Sequence, residues 1–397
     1  MIRHTGGLPV GLLAAASLGM FAASSSGTTR APFLIDMAHD LAASLPLVAD
    51  LFAMTSIAWG VASMLAGVGS DRWGRRPFLF GGPLALALAL AGVATAGSYV
   101  EVAIWATIAG GCSGMYTGVI FAEVSARVTD SQQGRALGWA MSGQSLTLLV
   151  GVPMAAWVGA YVGWRGVNLG VAGLGLAAAA GFLAVGVSHN GPGGAGINSG
   201  SSRRETPSMR TTLSPKVLRL LTIGIGERIC YGLTAVYFAT FLQSSYGLSL
   251  EALALPLAVF AMGNICGTVV GGQLADRLPN RFHTFALAML ASGAAALALF
   301  GWITSVTTSV VLGFVYVFVN AIARPSLLAA LTTVPVEIRG TVLGLNMTCA
   351  SIGWMGAAGL GGWMMGLYGF AAFGPLAAAV SILTAGLALL PFQPSRG

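Results

Sequence analysis

One pattern repeats along almost the whole chain: an apolar stretch of about the length that crosses a bilayer, roughly 20 residues, then a short break of charge, glycine or proline. Twelve such stretches can be delimited, at 8–30, 46–69, 77–98, 101–125, 136–160, 166–187, 217–243, 252–275, 282–303, 306–331, 341–366 and 369–391. In lipid, every backbone N–H and C=O of a spanning segment must be satisfied internally, so these stretches are expected to be helices. Composition agrees: 56% of the 397 residues are hydrophobic and 8% charged, where a soluble domain carries about a quarter charged. The 57 glycines suit helices that approach closely in lipid. The fold expected is an all-α integral membrane protein with twelve transmembrane helices. Residues 8–30 follow Arg3 and lead into "AASSSGTT", the ingredients of a cleaved leader. Removing them would leave an odd number of spans and upset the charge pattern, so they are read as the first span.

With an even number of spans, both ends of the chain share a side. Arg3, Arg72, Arg75, Arg76, Arg127, Arg135, Arg203, Arg204, Arg210, Lys216, Arg219, Arg277, Arg281, Arg339 and Arg396, 15 of the 19 basic residues, then fall on that side. The positive-inside rule makes it cytoplasmic, in a bacterial inner (plasma) membrane. The net charge of +7 is spread over these turns without a basic domain, so a nucleic-acid partner is not expected and the bilayer is. Cys112, Cys230, Cys266 and Cys349 all lie in apolar segments, which reads as buried thiols rather than a disulfide framework.

The polar run 188–215, "SHNGPGGAGINSGSSRRETPSMRTTLSP", has linker composition. It separates a first six-span bundle, 1–187, from a second, 216–397. The halves echo each other: "GVGSDR" at 67–72 recurs as "GQLADR" at 272–277, and "GRALGWAM" at 134–141 as "GTVLGLNM" at 340–347. The offsets are 205 and 206, and six-helix parallel repeats are a known transporter plan.

With those features the chain resembles the major facilitator superfamily, and within it the twelve-helix drug/proton antiporter-like branch. The likeness rests on the 6+6 spans, the central linker and a G-x-x-x-D-R-x-G-R-R signature between the second and third spans. Here that signature is Gly67, Asp71, Arg72, Gly74, Arg75 and Arg76. The resemblance implies two pseudo-symmetric bundles around a central cavity. It also implies that Asp71 and Arg75 belong to a charge network that latches the cytoplasmic face. Glu123 is the acidic partner expected for Arg75, and Asp276 and Arg277 are the echo in the second half, where Pro279 and Asn280 replace Gly74 and Arg75. "GQSLTLLVGVPMAAWVG" at 143–159 is similar to the glycine/proline motif of the branch's exporters, matching at Gly143, Gly151 and Pro153, with Ala155 and Ala156 where that motif has glycines. The fourth-span arginine typical of those exporters is missing from "IWATIAGGCSGMYTG".

Charge inside a bilayer is costly and marks substrate or ion paths. In the family, spans one, four, seven and ten line the cavity. Arg30, Arg228 and Arg324 fall in three of them, and Tyr116, Tyr231, Tyr237, Tyr316 and Asn320 would add polar lining. Tyr316, Asn320 and Arg324 share one helix face at i, i+4, i+8, and Pro325 should break the helix locally. Glu227 is the one acidic residue deep in a segment and the candidate proton-coupling group. Such a cavity suits a small organic solute bearing an anionic group, which arginine can grip with two parallel donors. The alternative for the same charges is structural: Glu227 paired with one arginine between helices, and Arg30 snorkelling to the outer headgroups.

The sequence has no Walker loop, no mid-membrane histidine, no catalytic carboxylate pair and no nucleophilic triad, so neither an enzyme, nor a metal site, nor any cofactor is expected. The function expected is secondary active transport of a small molecule by a monomer, with export favoured and protons as coupling ion. Uptake of an organic anion by symport is the alternative within transport. A membrane sensor or assembly factor on the same fold is the alternative of another class.

Overall fold

A computed structural model describes residues 9–186, 214–278, 280–334 and 336–390. The expected linker therefore lies, up to residue 213, outside the described residues. Among those described there is no strand. The helices are α1 (Val10–Thr28), α2 (Leu34–Asp40), α3 (Leu45–Trp73), α4 (Arg76–Thr95), α5 (Tyr99–Ala126), α6 (Asp130–Leu146) and α7 (Val152–Val185). From residue 214 onward come α8 (Pro215–Tyr246), α9 (Leu250–Arg277), α10 (Arg281–Gly301), α11 (Val306–Leu331), α12 (Val336–Tyr368) and α13 (Phe373–Leu389).

The turns carry the start signals. Ser98, Ser214, Ser249, Asn280 and Ser305 each accept a backbone N–H from the first turn of the helix they precede. Among the described residues nine stretches are long and apolar enough to cross a membrane, but two of them run to 54 and 42 residues. At 1.5 Å per residue these would extend about 81 and 63 Å, far beyond the roughly 30 Å of hydrocarbon. Gly163 (φ 68°) divides the first, and the turn Gly369–Ala372, opened by Gly369 (φ 66°), divides the second. α8 has the length but carries Lys216, Arg219, Glu227 and Arg228. Nine stretches, two divided and α8 together account for the twelve expected segments. A π-helical turn, Thr147–Gly151, joins α6 to α7 just ahead of Pro153, which has no N–H to give.

Packing groups the described residues into two compact units, one before residue 44 and from 54 to 186, the other from 44 to 53 and from 214 onward. The start of α3 joins the second unit, where a methyl at Gly362 would lie 3.2 Å from both Pro46 Cβ and the Tyr237 hydroxyl. In the first unit α4 packs on α5 and α7, and α1 on α5, α6 and α7. In the second unit α10 packs on α11 and α13, and α8 on α11, α12 and α13. The two sets match helix for helix, so the internal repeat is a repeat of packing.

Close approach is achieved by glycine ladders. On α5, a Cβ at Gly110, Gly114 or Gly118 would collide with the carbonyl oxygen of Thr55, Trp59 or Ser63 on α3. In the second unit Gly263, Gly267 and Gly271 on α9 face the carbonyls of Phe314, Phe318 and Ile322 on α11 in the same way. The ladder sits on the fourth span in one half and on the eighth in the other, so its place in the repeat has changed sides. This explains "IWATIAGGCSGMYTG": the segment is built to touch α3.

Candidate functional site

The charges inside the second unit converge on one carboxylate. Glu227, on α8, is 1% exposed. Arg324, on α11, donates Nε and Nη2 to its Oε1 at 3.2 and 3.0 Å. Arg228 Nε stands 3.4 Å from the other oxygen, Oε2, and its side chain is the most open of the three at 23% exposed. Two cations on one anion leave the cluster with a net positive charge. The Arg324 guanidinium also lies 4.9 Å from the ring centre of Tyr231, a cation–π contact, and Tyr231 in turn stands edge-on to Trp354 of α12. α12 comes so close that a Cβ at Gly353 would strike Arg228 Cβ, so the glycine lets α12 pass the arginine. Pro325 does not interrupt α11, contrary to expectation; the helix runs through it, with Ala321 buried.

The remaining polar residues expected around a cavity are used between helices. Tyr316 is fully buried and donates to the Cys230 carbonyl at 2.6 Å. Asn320 donates to Ser292 Oγ at 3.4 Å, while its Oδ1 has no partner among the described residues. Tyr237 donates to the Ala358 carbonyl at 2.7 Å. In the first unit Tyr116 is 1% exposed and donates to the Ala16 carbonyl at 2.9 Å. These tyrosines lie at cavity-lining positions in the sequence but brace helix pairs in the structure, because a phenol buried in apolar packing must find an acceptor. Arg30 does not snorkel either: it is 2% exposed, and Nη1 donates to Thr55 Oγ1 at 2.8 Å. Of the four cysteines, Cys112 and Cys230 are buried, Cys349 is intermediate and Cys266 is exposed.

A second charged group lies at the turn between α3 and α4. Gly74 takes φ 79°, a left-handed conformation that glycine adopts without a Cβ clash. Arg75 Nη1 then reaches the Ala122 carbonyl at 3.0 Å and Glu123 Oε2 at 3.3 Å, near the end of α5. Arg127 Nε closes on Glu123 Oε1 at 2.6 Å, a partner signalled by its i+4 spacing from Glu123. Arg72 and Arg76 are exposed, Gly67 has open space around it, and the Asp71 side chain lies outside the described set. In the second half Asp276 and Arg277 are exposed, at the rim of a cleft of about 430 Å³ with Asn280 and Arg281. Arg281 Nη1 donates to the Ala329 carbonyl at 3.0 Å, the bond that Arg75 makes in the first half. The equivalence of Arg75 is thus to Arg281, at offset 206, and Asn280 serves instead as the cap of α10. The 205 offset of the "DR" pair hid this by one residue. Where Glu123 pairs with Arg75, the second half has alanine, Ala329 and Ala330.

On the opposite side of the first unit, Asp40 accepts from Trp164 Nε1 and from Arg165 Nη1, both at 2.9 Å. Arg165 stacks on Trp164 at 4.1 Å and also donates to the Ala96 carbonyl at 3.2 Å. This clasp pins α2 beside the Gly163 break.

Comparison with known proteins fits the fold. The description "Major Facilitator Superfamily" matches residues 16–358 and 220–396. A chloramphenicol resistance protein of Streptomyces lividans is 27% identical over 292 residues, 74% of this chain and 73% of that protein. An uncharacterized MFS-type transporter of Bacillus subtilis, YwfA, is 23% identical over 387 residues, 94% of this chain and 90% of its own. The inner membrane transport protein YdhP of Escherichia coli K12 is 30% identical over 169 residues, 42% of this chain and 41% of that one. Among solved structures, a bacterial homolog of the human lysosomal transporter Spinster superposes with a TM-score of 0.74 at 15% identity, over 97% of this chain and 98% of that one. With a family match spanning nearly the whole chain, and relatives named for resistance and transport, the chain belongs to the Major Facilitator Superfamily and is an integral membrane transporter, not an enzyme.

Proposed function

We propose that the protein moves a small organic solute, anionic or amphiphilic with an anionic end, by alternating access between its two halves. Glu227, Arg324, Arg228 and Tyr231 form the solute site, and the proton is the coupling ion. The observation that carries this proposal is the double donation of Arg324 to a buried Glu227 beside a second arginine. The donors that hold the carboxylate are the fork an anionic solute needs, so protonating Glu227 would release them. Asn320, Tyr316, Tyr116 and Arg30, expected in the same site, stand at its margin or in the other unit. Outward transport is favoured by the relative named for chloramphenicol resistance and by the π turn and Pro153 within the exporter-like motif.

The cluster itself favours a second direction. Proton and anion help each other onto it, since neutralising Glu227 removes the competitor for Arg324. Such co-binding is the thermodynamics of symport, which carries the anion inward under an inward proton gradient.

We further propose that the turn at Gly67, Asp71, Arg72, Gly74, Arg75 and Arg76 latches the cytoplasmic face through Glu123 and Arg127, with Asp276 and Arg277 at the matching turn. Both ends of the chain then lie in the cytoplasm of a bacterium, and the protein works as a monomer in the inner membrane.

The test is flux in proteoliposomes, with radiolabelled benzoate and chloramphenicol as probes, under proton gradients of either sign. Flux of one probe should follow the gradient, against the protons for export or with them for symport, and Arg324→Gln should abolish the benzoate response. Fluxes insensitive both to the gradient and to Arg324→Gln would overturn the assignment.

A further inference from the structure

Arg30 stands between Thr29, which caps the end of α1, and the single turn Ala31–Phe33. One end of its guanidinium is occupied, with Nη1 on Thr55 Oγ1 at 2.8 Å. Thr55 is itself held in place, since its backbone carbonyl lies against Gly110 of α5. The opposite edge is different. Nε and Nη2, which lie side by side on the edge away from Cδ, are both shielded from solvent and have no hydrogen-bond partner among the described residues. Among the described residues no carboxylate pairs with Arg30.

Arg324 shows what that edge does when it is filled. There the same two donors, Nε and Nη2, both reach Glu227 Oε1. The chain therefore supplies a carboxylate to the arginine of the second unit and withholds one from the arginine of the first. A buried guanidinium without a counter-charge is among the most costly groups a protein can hold. The surroundings of Arg30 are hydroxylic rather than acidic: Thr29 donates to the Ser25 carbonyl, and Ser26, one turn back along α1, bonds Ser113 of α5 at 3.1 Å. Polar neighbours of this kind can surround a bound anion without repelling it.

We propose that the Nε–Nη2 edge of Arg30 is a binding site for the carboxylate of a small organic anion. Two parallel N–H donors match two carboxylate oxygens, whereas chloride or another monatomic anion can use only one point between them. Thr55 acts as a positioning residue: by holding Nη1 it fixes the plane in which the fork opens. The site lies in the first unit and does not depend on the role assigned to Glu227, Arg324 and Arg228.

The experiment uses the full-length protein, purified in detergent and carrying Arg324→Gln, so that the cluster of the second unit is disabled. Sodium benzoate is titrated by tryptophan fluorescence and by melting temperature, with sodium chloride at matched ionic strength as control. Benzoate should raise the melting temperature in this background and chloride should not. Adding Arg30→Gln should weaken benzoate at least about tenfold, 1.4 kcal/mol. Arg30→Lys should lie between, because it keeps the charge and loses the fork. Thr55→Val, which leaves the charge untouched, should weaken benzoate several-fold and serves as the readout if the arginine variants do not fold. No response to benzoate in the Arg324→Gln protein, an equal response to chloride, or an affinity unmoved by Arg30→Gln and Thr55→Val would each overturn the site. Loss of benzoate binding through Arg324→Gln alone would leave the cluster of the second unit as the sole anion site.

Discussion

Among the described residues Glu227 and Glu123 are the two carboxylates that each collect two arginines, and their settings set their tasks apart. Glu227 is 1% exposed and its arginines come from α8 itself and from α11. Its neutral mimic, Glu227→Gln, should leave Arg324 free of its competing charge. We expect benzoate exchange between equal pools to persist and acceleration by a pH gradient to disappear, as measured by counterflow in proteoliposomes; retained gradient sensitivity would refute proton coupling through this residue. Glu123, by contrast, ties the α3–α4 turn to α5 through Arg75 and Arg127. Glu123→Gln should leave solute affinity within about twofold and change the rate of transport, because a latch acts on interconversion and not on the fork that grips the solute. Tyr116 illustrates what a sequence hides. A tyrosine in a cavity-lining span looks like lining, yet interhelical hydrogen bonds in membranes average only about 0.6 kcal/mol, and helix braces of this kind are cheap enough to be common. Position along the sequence made Glu227, Arg324 and Arg75 visible as charges out of place. Whether a hydroxyl faces a path or a backbone carbonyl is set by helix rotation, which spacing alone leaves open.

At the scale of the helix, the glycines separate into two kinds that composition cannot distinguish. Gly271 faces the Ile322 carbonyl, 2.7 Å from where a Cβ would sit, while its neighbour Gly272 has nothing within 4 Å. Glycine to alanine in a helix interior gains about 1 kcal/mol of propensity, and overpacking costs roughly 1–3 kcal/mol. Gly272→Ala should therefore match or exceed the parent in melting temperature, and Gly271→Ala should fall below it. The pair Gly110 and Gly111 gives the same test in the first unit, since Gly110 abuts the Thr55 carbonyl and Gly111 meets only Ala62 Cβ at 3.9 Å. Fluorescence-monitored melting of the four variants checks both, and equal shifts within each pair would mean that the ladders are not points of backbone contact. The segments themselves were legible from apolar length. The joints were not: Gly163 and the π turn lie inside unbroken hydrophobic sequence, and only the positive φ of the first and the missing N–H of Pro153 near the second mark them.

At the scale of the molecule, the repeat is the strongest constraint on orientation. Matching helix pairs in the two units place α3 beside α5 and α9 beside α11, and each unit carries an arginine to a carbonyl at the same turn, Arg75 to Ala122 and Arg281 to Ala329. From the excess of arginine at these turns we propose that they face the cytoplasm. α11 offers the most direct check, because exposed residues stand at both of its ends, Thr304 before Ser305 and Thr332 after Leu331. In a protein whose four cysteines have been replaced by serine, Thr304→Cys should react with an impermeant maleimide added to intact cells. Thr332→Cys should react only after the membrane is opened. The roughly 39 Å length expected of a 26-residue helix spans the hydrocarbon with some tilt, so one label cannot reach both ends. Labelling of Thr332→Cys in sealed cells, with Thr304→Cys protected, would invert the orientation of every span and put the Arg75–Glu123 latch outside. An anion drawn to Arg324 under an inward proton gradient would then enter from the side where that latch closes.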